Sequence, residues 1–133
     1  MPALRTSIAD GGLIRTTRAG DNILSCRSLT SLPADINTIL TVAIMAGGLV
    51  QLTGFTAPRQ LITDTAANII AANPWMDIGD SFEVDISITT AFAGTYSAGV
   101  GVTLAGRATA LASSISKILV TKTGAATVTV TGF

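Results

Sequence analysis

Between Ser81 and Thr89 the chain alternates without a break. Phe82, Val84, Ile86 and Ile88 fall on one side, and Ser81, Glu83, Asp85, Ser87 and Thr89 on the other. A period of two belongs to a β-strand with one face on a core and the other in water. A helix would scatter the same apolar residues around its circumference. The segment therefore demands a sheet, and the sheet demands a second layer to cover its apolar face.

Other stretches carry the same signal more weakly. Leu40, Val42 and Ile44 alternate with Thr41, Ala43 and Met45, and residues 49–53 mirror them beyond Gly47-Gly48. This predicts two strands around a Gly-Gly turn. Residues 60–63 form a short run after Pro58. Ala93-Gly94-Thr95 reads as a turn into a strand over 96–104, where Gly99 and Gly101 mark a bulge or a close backbone approach. Ile118-Leu119-Val120 and residues 127–131 supply the last two strands, joined through Gly124. Strand signals recurring roughly every 8 to 12 residues are those of a sandwich or barrel. No solenoid-type repeat is visible.

One segment departs from the pattern. Asp64-Thr65-Ala66-Ala67-Asn68-Ile69-Ile70-Ala71-Ala72-Asn73-Pro74 predicts a short helix, capped by Asp64 or Thr65 and ended at Asn73-Pro74. Trp75 is then expected to pack in the core or against the helix end. Residues 1–35 show no clean period and hold four of the six arginines, with Gly11-Gly12, Gly20 and Pro33 as punctuation. They read as an extended N-terminal arm, leaving 36–133 as the folded domain.

Composition bears on function. Lys and Arg total 8, Asp and Glu total 8, and the formal net charge is zero, so nothing pulls the chain toward nucleic acid. Charged residues make up 12% of the chain and hydrophobic ones 48%. That charge content is about half the usual one, and it predicts a surface buried against partner subunits. Histidine is absent, which removes the commonest general base and metal ligand. Cys26 is the only cysteine, so no intrachain disulfide forms. Residues 36–55 carry no charge, but Asn37, Gln51 and the central glycine pair suit strands better than a spanning helix.

Candidate chemistry is sparse. Ser114-Ile115-Ser116-Lys117 and Lys122-Thr123-Gly124 match the S-x-x-K and K-T-G motifs of penicillin-binding serine enzymes. Only four residues separate them, and their β-branched context favours strands, so they are read as chance. Asp77, Asp80, Glu83 and Asp85 form an acidic cluster with oxygen ligands for a hard cation, although no EF-hand loop surrounds it. A solvated or partner-facing strand edge explains it more simply. Gly99-Val100-Gly101 lacks the following helix of a phosphate loop. Arg5, Arg15, Arg18 and Arg27 are interleaved with Asp10, Asp21 and Asp35, with no aromatic before Phe55 to stack on bases. They are assigned to protein contact. No enzyme, cofactor, metal or small-molecule substrate is expected.

Leu61-Ile62-Thr63-Asp64-Thr65-Ala66-Ala67-Asn68-Ile69-Ile70-Ala71-Ala72, Gly79-Asp80-Ser81-Phe82-Glu83-Val84-Asp85-Ile86 and Gly99-Val100-Gly101-Val102-Thr103-Leu104-Ala105-Gly106 together resemble phage capsid decoration (cement) and head-fibre domains. Ile88-Thr89-Thr90-Ala91 stands where such domains often carry an Asn-Thr step. The resemblance covers about a third of the chain. It implies an all-β fold, an antiparallel β-sandwich of jelly-roll type with one short helix and an extended N-terminal arm. It implies a virion structural protein, made in the host cytoplasm, that binds the major capsid protein on the outer capsid surface as a homotrimer. Arg5, Arg15, Arg18 and Arg27 are the expected capsid contacts. The alternative is a head or tail fibre subunit that binds a host surface.

Overall fold

The computed structural model describes residues 4–5, 17–18 and 27–133. Two short strands, β1 (Leu4–Arg5) and β2 (Thr17–Arg18), pair antiparallel with each other. The chain then forms β3 (Ser28–Leu32), β4 (Thr38–Leu40), a one-turn helix α1 (Val42–Met45), β5 (Gly48–Leu52), β6 (Arg59–Thr63) and α2 (Ala66–Ala72). It continues through β7 (Ser81–Ile88), β8 (Gly94–Ser97), β9 (Val102–Gly106), β10 (Thr109–Ala110), β11 (Ser114–Lys122) and β12 (Val128–Gly132).

These strands make a six-stranded sheet, ordered β3-β5-β7-β11-β12-β9, and a four-stranded sheet, ordered β10-β8-β6-β4. From β3 to β11 the chain changes sheet at every strand. A strand thus meets its sheet neighbour only after a return through the other sheet, so neighbours run the same way. β3, β5 and β7 are parallel, as are β4, β6 and β8. β10 and β11 reverse direction, and the hairpin β11–β12 closes the large sheet, with β9 parallel to β12 outside it. The fold is mostly β, as expected, but its sheets are mixed where an antiparallel sandwich was anticipated. The cause is this winding between layers, which leaves no repeat in the sequence.

Both sheets close on one core. Val84, Ile86 and Ile88 of β7 are buried, in register with Ile118, Ser116 and Ser114 of β11. Val50 and Leu52 lie on their other side, and Leu40, Leu61, Tyr96 and Ala110 face them from the small sheet. Phe82 is half-buried at the start of β7.

Four local expectations need correction. Residues 42–45 form a helical turn rather than a strand. Thr41 Oγ1 accepts the Ile44 N–H at 3.3 Å, and the Asp64 carboxylate accepts the Val42 N–H at 3.0 Å. These two oxygens satisfy N–H groups that open the turn. The Gly47-Gly48 pair accordingly joins α1 to β5 instead of turning a hairpin, with Gly48 at φ +82°. Gly94 lies in a strand, where an added Cβ would sit 2.7 Å from Leu61 Cδ1, so it serves close packing and not a turn. Residues 96–104 divide between β8 and β9 of different sheets. Gly99, in the link between them, closely approaches the end of β6, since a Cβ there would lie 2.5 Å from the Asp64 carbonyl oxygen.

The predicted helix is present as α2, capped by Thr65, whose hydroxyl accepts the Asn68 N–H at 3.2 Å. Beyond it Met76 is buried, whereas Trp75 is 42% exposed. The sheet also crosses the expected boundary at residue 36. Ser28–Leu32 form its edge strand, with the Ser28 N–H donating to the Gly47 carbonyl at 2.8 Å. No helix among the described residues is long and apolar enough to cross a membrane.

Candidate interaction surface

The outward face of the large sheet follows from its registers. Leu29, Leu49, Asp85 and Lys117 share one row across β3, β5, β7 and β11. Glu83, Leu119, Thr131 and Ala105 share another across β7, β11, β12 and β9. The first row carries an apolar pair at its β3 end. Charges occupy the middle. Ile115 and Phe133, 68% and 59% exposed, stand with Leu119 on the far side. With Glu83 and Lys117 they line a shallow, open groove.

The charges in the middle neutralise one another. Arg27, just before β3, pairs with Asp85, and its second terminal nitrogen lies 3.7 Å from Glu83. Lys117 Nζ lies 3.2 Å from the same Glu83 oxygen. Two cations thus bracket two carboxylates on an exposed face. Pairs so exposed contribute on the order of 0–1 kcal/mol each, so their main effect is on recognition and not on stability.

This arrangement divides the acidic cluster. Glu83 and Asp85 are engaged by Arg27 and Lys117. Asp80 instead shapes the turn before β7, its carboxylate accepting the Asp77 N–H at 2.9 Å. The four carboxylates therefore do not converge, and no group of three or more possible metal ligands forms among the described residues. Ser114–Lys117 lie in β11, facing both sides of the sheet, and Lys122 ends the strand, with Thr123-Gly124 in the turn to β12, so the two enzyme-like motifs share no helix or pocket among the described residues.

Of the four arginines singled out in the sequence, Arg27 is placed on this face by its ion pairs. Arg5 opposes Thr17 and Arg18 opposes Leu4 in the β1–β2 ladder. Arg15 and Cys26 lie outside the described residues. Lys117, Ile115 and Phe133 were not anticipated. The signal for the first two is the outward half of the β11 alternation, Ile115-Lys117-Leu119, legible only once Ser116, Ile118 and Val120 are recognised as the inward half.

A second polar knot fixes the segment between β3 and β6. The Asp35 carboxylate accepts from the Thr56 N–H at 3.1 Å, from Arg59 Nε at 2.9 Å and from the Thr56 hydroxyl. The Arg59 bond, reinforced by Thr56, holds the Asp35 carboxyl well below the usual carboxylate range, and Arg59 is raised in return. No protein-family model, curated protein or solved structure matches the chain.

Proposed function

We propose that this chain is a non-enzymatic virion structural protein, a capsid decoration (cement) subunit that works as a homotrimer on the outer surface of a phage head. The observation that carries the reading is the outward face of the large sheet. It sets exposed Ile115 and Phe133 beside a self-neutralised charge network and presents apolar Leu29 at its other end. Exposed apolar groups rimmed by paired charges suit contact with protein. The low charge content and the resemblance over residues 58–106 point the same way. Kinship with jelly-roll sandwiches rests on those motifs and not on the strand order.

The mechanism is mechanical. Many modest contacts, multiplied by three linked copies, resist outward pressure on the shell. Arg5, Arg15, Arg18 and Arg27 supply planar donors for carboxylates of the major capsid protein. Arg27 has to exchange Asp85 for such a partner.

The test is binding of the purified protein to undecorated shells. A deletion of residues 2–26, stopping short of β3, is expected to leave a folded domain that no longer decorates them. Unchanged occupancy would remove the arginine-rich segment from the mechanism. Binding to host cells, with none to shells, would favour the fibre alternative.

A further inference from the structure

The large sheet has two free edges among the described residues, β3 at one end and β9 at the other. Natural edge strands are usually protected by a charge, a proline or a bulge. Neither Ser28–Leu32 nor Val102–Gly106 contains a charged residue or a proline. Both strands are five residues long and both run parallel to β7.

Backbone accounting identifies the free groups. On β3 the Ser28 N–H and the Leu32 carbonyl bond toward β5. In a parallel ladder alternate residues serve alternate sides, so Leu29 and Ser31 direct their N–H and C=O groups to the open edge. On β9 the Gly101 carbonyl and the Arg107 N–H bond toward β12. Leu104 and Gly106 therefore face outward with both groups. The Val102 carbonyl does too, its N–H being used by the Gly99 carbonyl at 3.1 Å.

We propose that these two edges join copies of this chain head to tail, β9 of one copy pairing in parallel with β3 of the next. One register satisfies every group but the Gly106 carbonyl, which falls opposite Pro33 and its missing N–H. The Leu29 N–H meets the Val102 carbonyl, the Leu104 N–H meets the Leu29 carbonyl, the Ser31 N–H meets the Leu104 carbonyl, and the Gly106 N–H meets the Ser31 carbonyl. The same register sets Leu29 beside Thr103 on the outer face, so the two pleats are in phase. It brings Arg107, which makes no ion pair among the described residues, to the end of the ladder that carries Asp35 in the next copy. A two-fold pairing of β3 with β3 would use one edge and leave β9 open. A single head-to-tail contact uses both, and it closes a ring when the rotation between copies permits. The inference rests on the oligomer proposed above and names its interface.

The test uses the full chain in a Cys26→Ser background. Leu29→Cys and Thr103→Cys are made singly and together. Strand neighbours in this register bring their Cα atoms within disulfide range. Oxidation is expected to link the double variant, and an equal mixture of the two single variants, while each single variant alone stays unlinked. Ser31→Pro removes an outward N–H without taking a bond from β5, and Leu29→Lys places a charge on the edge. Each is expected to convert the oligomer to folded monomer by light scattering, with an unchanged far-ultraviolet spectrum.

A wild-type monomer at micromolar concentration would sink both this interface and the proposed trimer. An oligomer that neither cross-links in the mixture nor responds to Ser31→Pro and Leu29→Lys would sink the interface alone. Self-linking of Leu29→Cys would replace it by a two-fold contact. A Leu29→Cys thiol that reacts with reagent only after deletion of residues 2–26 would overturn it in favour of cover by the chain's own N-terminal segment.

Discussion

The Asp64 carboxylate accepts the backbone N–H of Val42 at 3.0 Å across 22 residues of chain. It also accepts the Thr65 N–H at 2.7 Å and Asn68 Nδ2 at 2.8 Å. One side chain thus ties the start of α1 to the start of α2. It thereby ties the crossing from β4 to β5 to the crossing from β6 to β7. Burial pushes the Asp64 carboxyl up, but the bonds from Asn68, Val42 and Thr65 outweigh it and hold it below its ordinary value.

Replacing Asp64 should therefore loosen two connections at once. Asp64→Ala is expected to cost about 2–3 kcal/mol, since hydrogen bonds to a charged acceptor are worth more than neutral ones. Thr65→Ala removes one cap and is expected to cost about 1 kcal/mol. Denaturant midpoints of the two variants check the ranking. Equal midpoints would mean that the link to α1 carries nothing.

The same carboxylate predicts a pH dependence. Asp35 and Asp64 both have folded values below their ordinary ones. Such a group stabilises the fold fully above its unfolded value, near pH 4, and the contribution is lost as pH falls through the folded value. Stability should thus decline below roughly pH 4. In Asp64→Asn the decline should be shallower, with Asp35 supplying the residual slope, moderated by solvent screening. An identical acid profile in the variant would contradict the assignment.

A third prediction tests the register of β7. Ile86 is fully buried between Val50 and Ser116, whereas Asp85 faces outward onto Arg27. Ile86→Asp is expected to unfold the domain, because an unpaired buried charge costs several kcal/mol. Asp85→Ile should fold, losing only an exposed ion pair. Circular dichroism of both variants decides. The reverse outcome would mean a slip of one residue.

What was legible in the sequence follows from the range of the forces involved. β7, α2 and the β11–β12 hairpin are built from local signals: a period of two, a Thr65 cap with a proline stop, and a turn at Gly124. Their identity could be read residue by residue. α1 could not, because Val42, Ile44 and their neighbours are good strand formers, and the turn is held partly by a carboxylate from beyond β6. Gly94 misled for a related reason. A glycine needed for contact with Leu61 looks the same in sequence as one needed for a turn. The alternation between sheets was hidden because parallel partners such as Leu49 and Asp85 lie 36 residues apart with no repeat to announce them. On the candidate surface, Arg27 stood out as an arginine, but its partners Asp85 and Glu83 were visible only as part of an acidic cluster.

Tyr96 gives the last prediction. Its ring is buried between the sheets, and its hydroxyl has no hydrogen-bond partner among the described residues. Burial pushes its pKa up to about 12, with the Arg107 charge opposing. An unsatisfied buried hydroxyl costs about 1–3 kcal/mol, so Tyr96→Phe should leave stability unchanged or raise it by up to that amount. Tyr96→Ala, which also empties the ring's place in the core, should cost about 3–5 kcal/mol. The chain has one tyrosine, so its ionisation is read directly from absorbance near the phenolate band. In the folded protein the transition should lie near pH 12, and in denaturant near the ordinary value of about 10. Because the unfolded chain ionises first, stability should fall as pH rises between those two values, and this fall should vanish in Tyr96→Phe. A folded-state transition at the ordinary value, or a clear loss of stability in Tyr96→Phe, would mean that the hydroxyl is solvated or bonded after all.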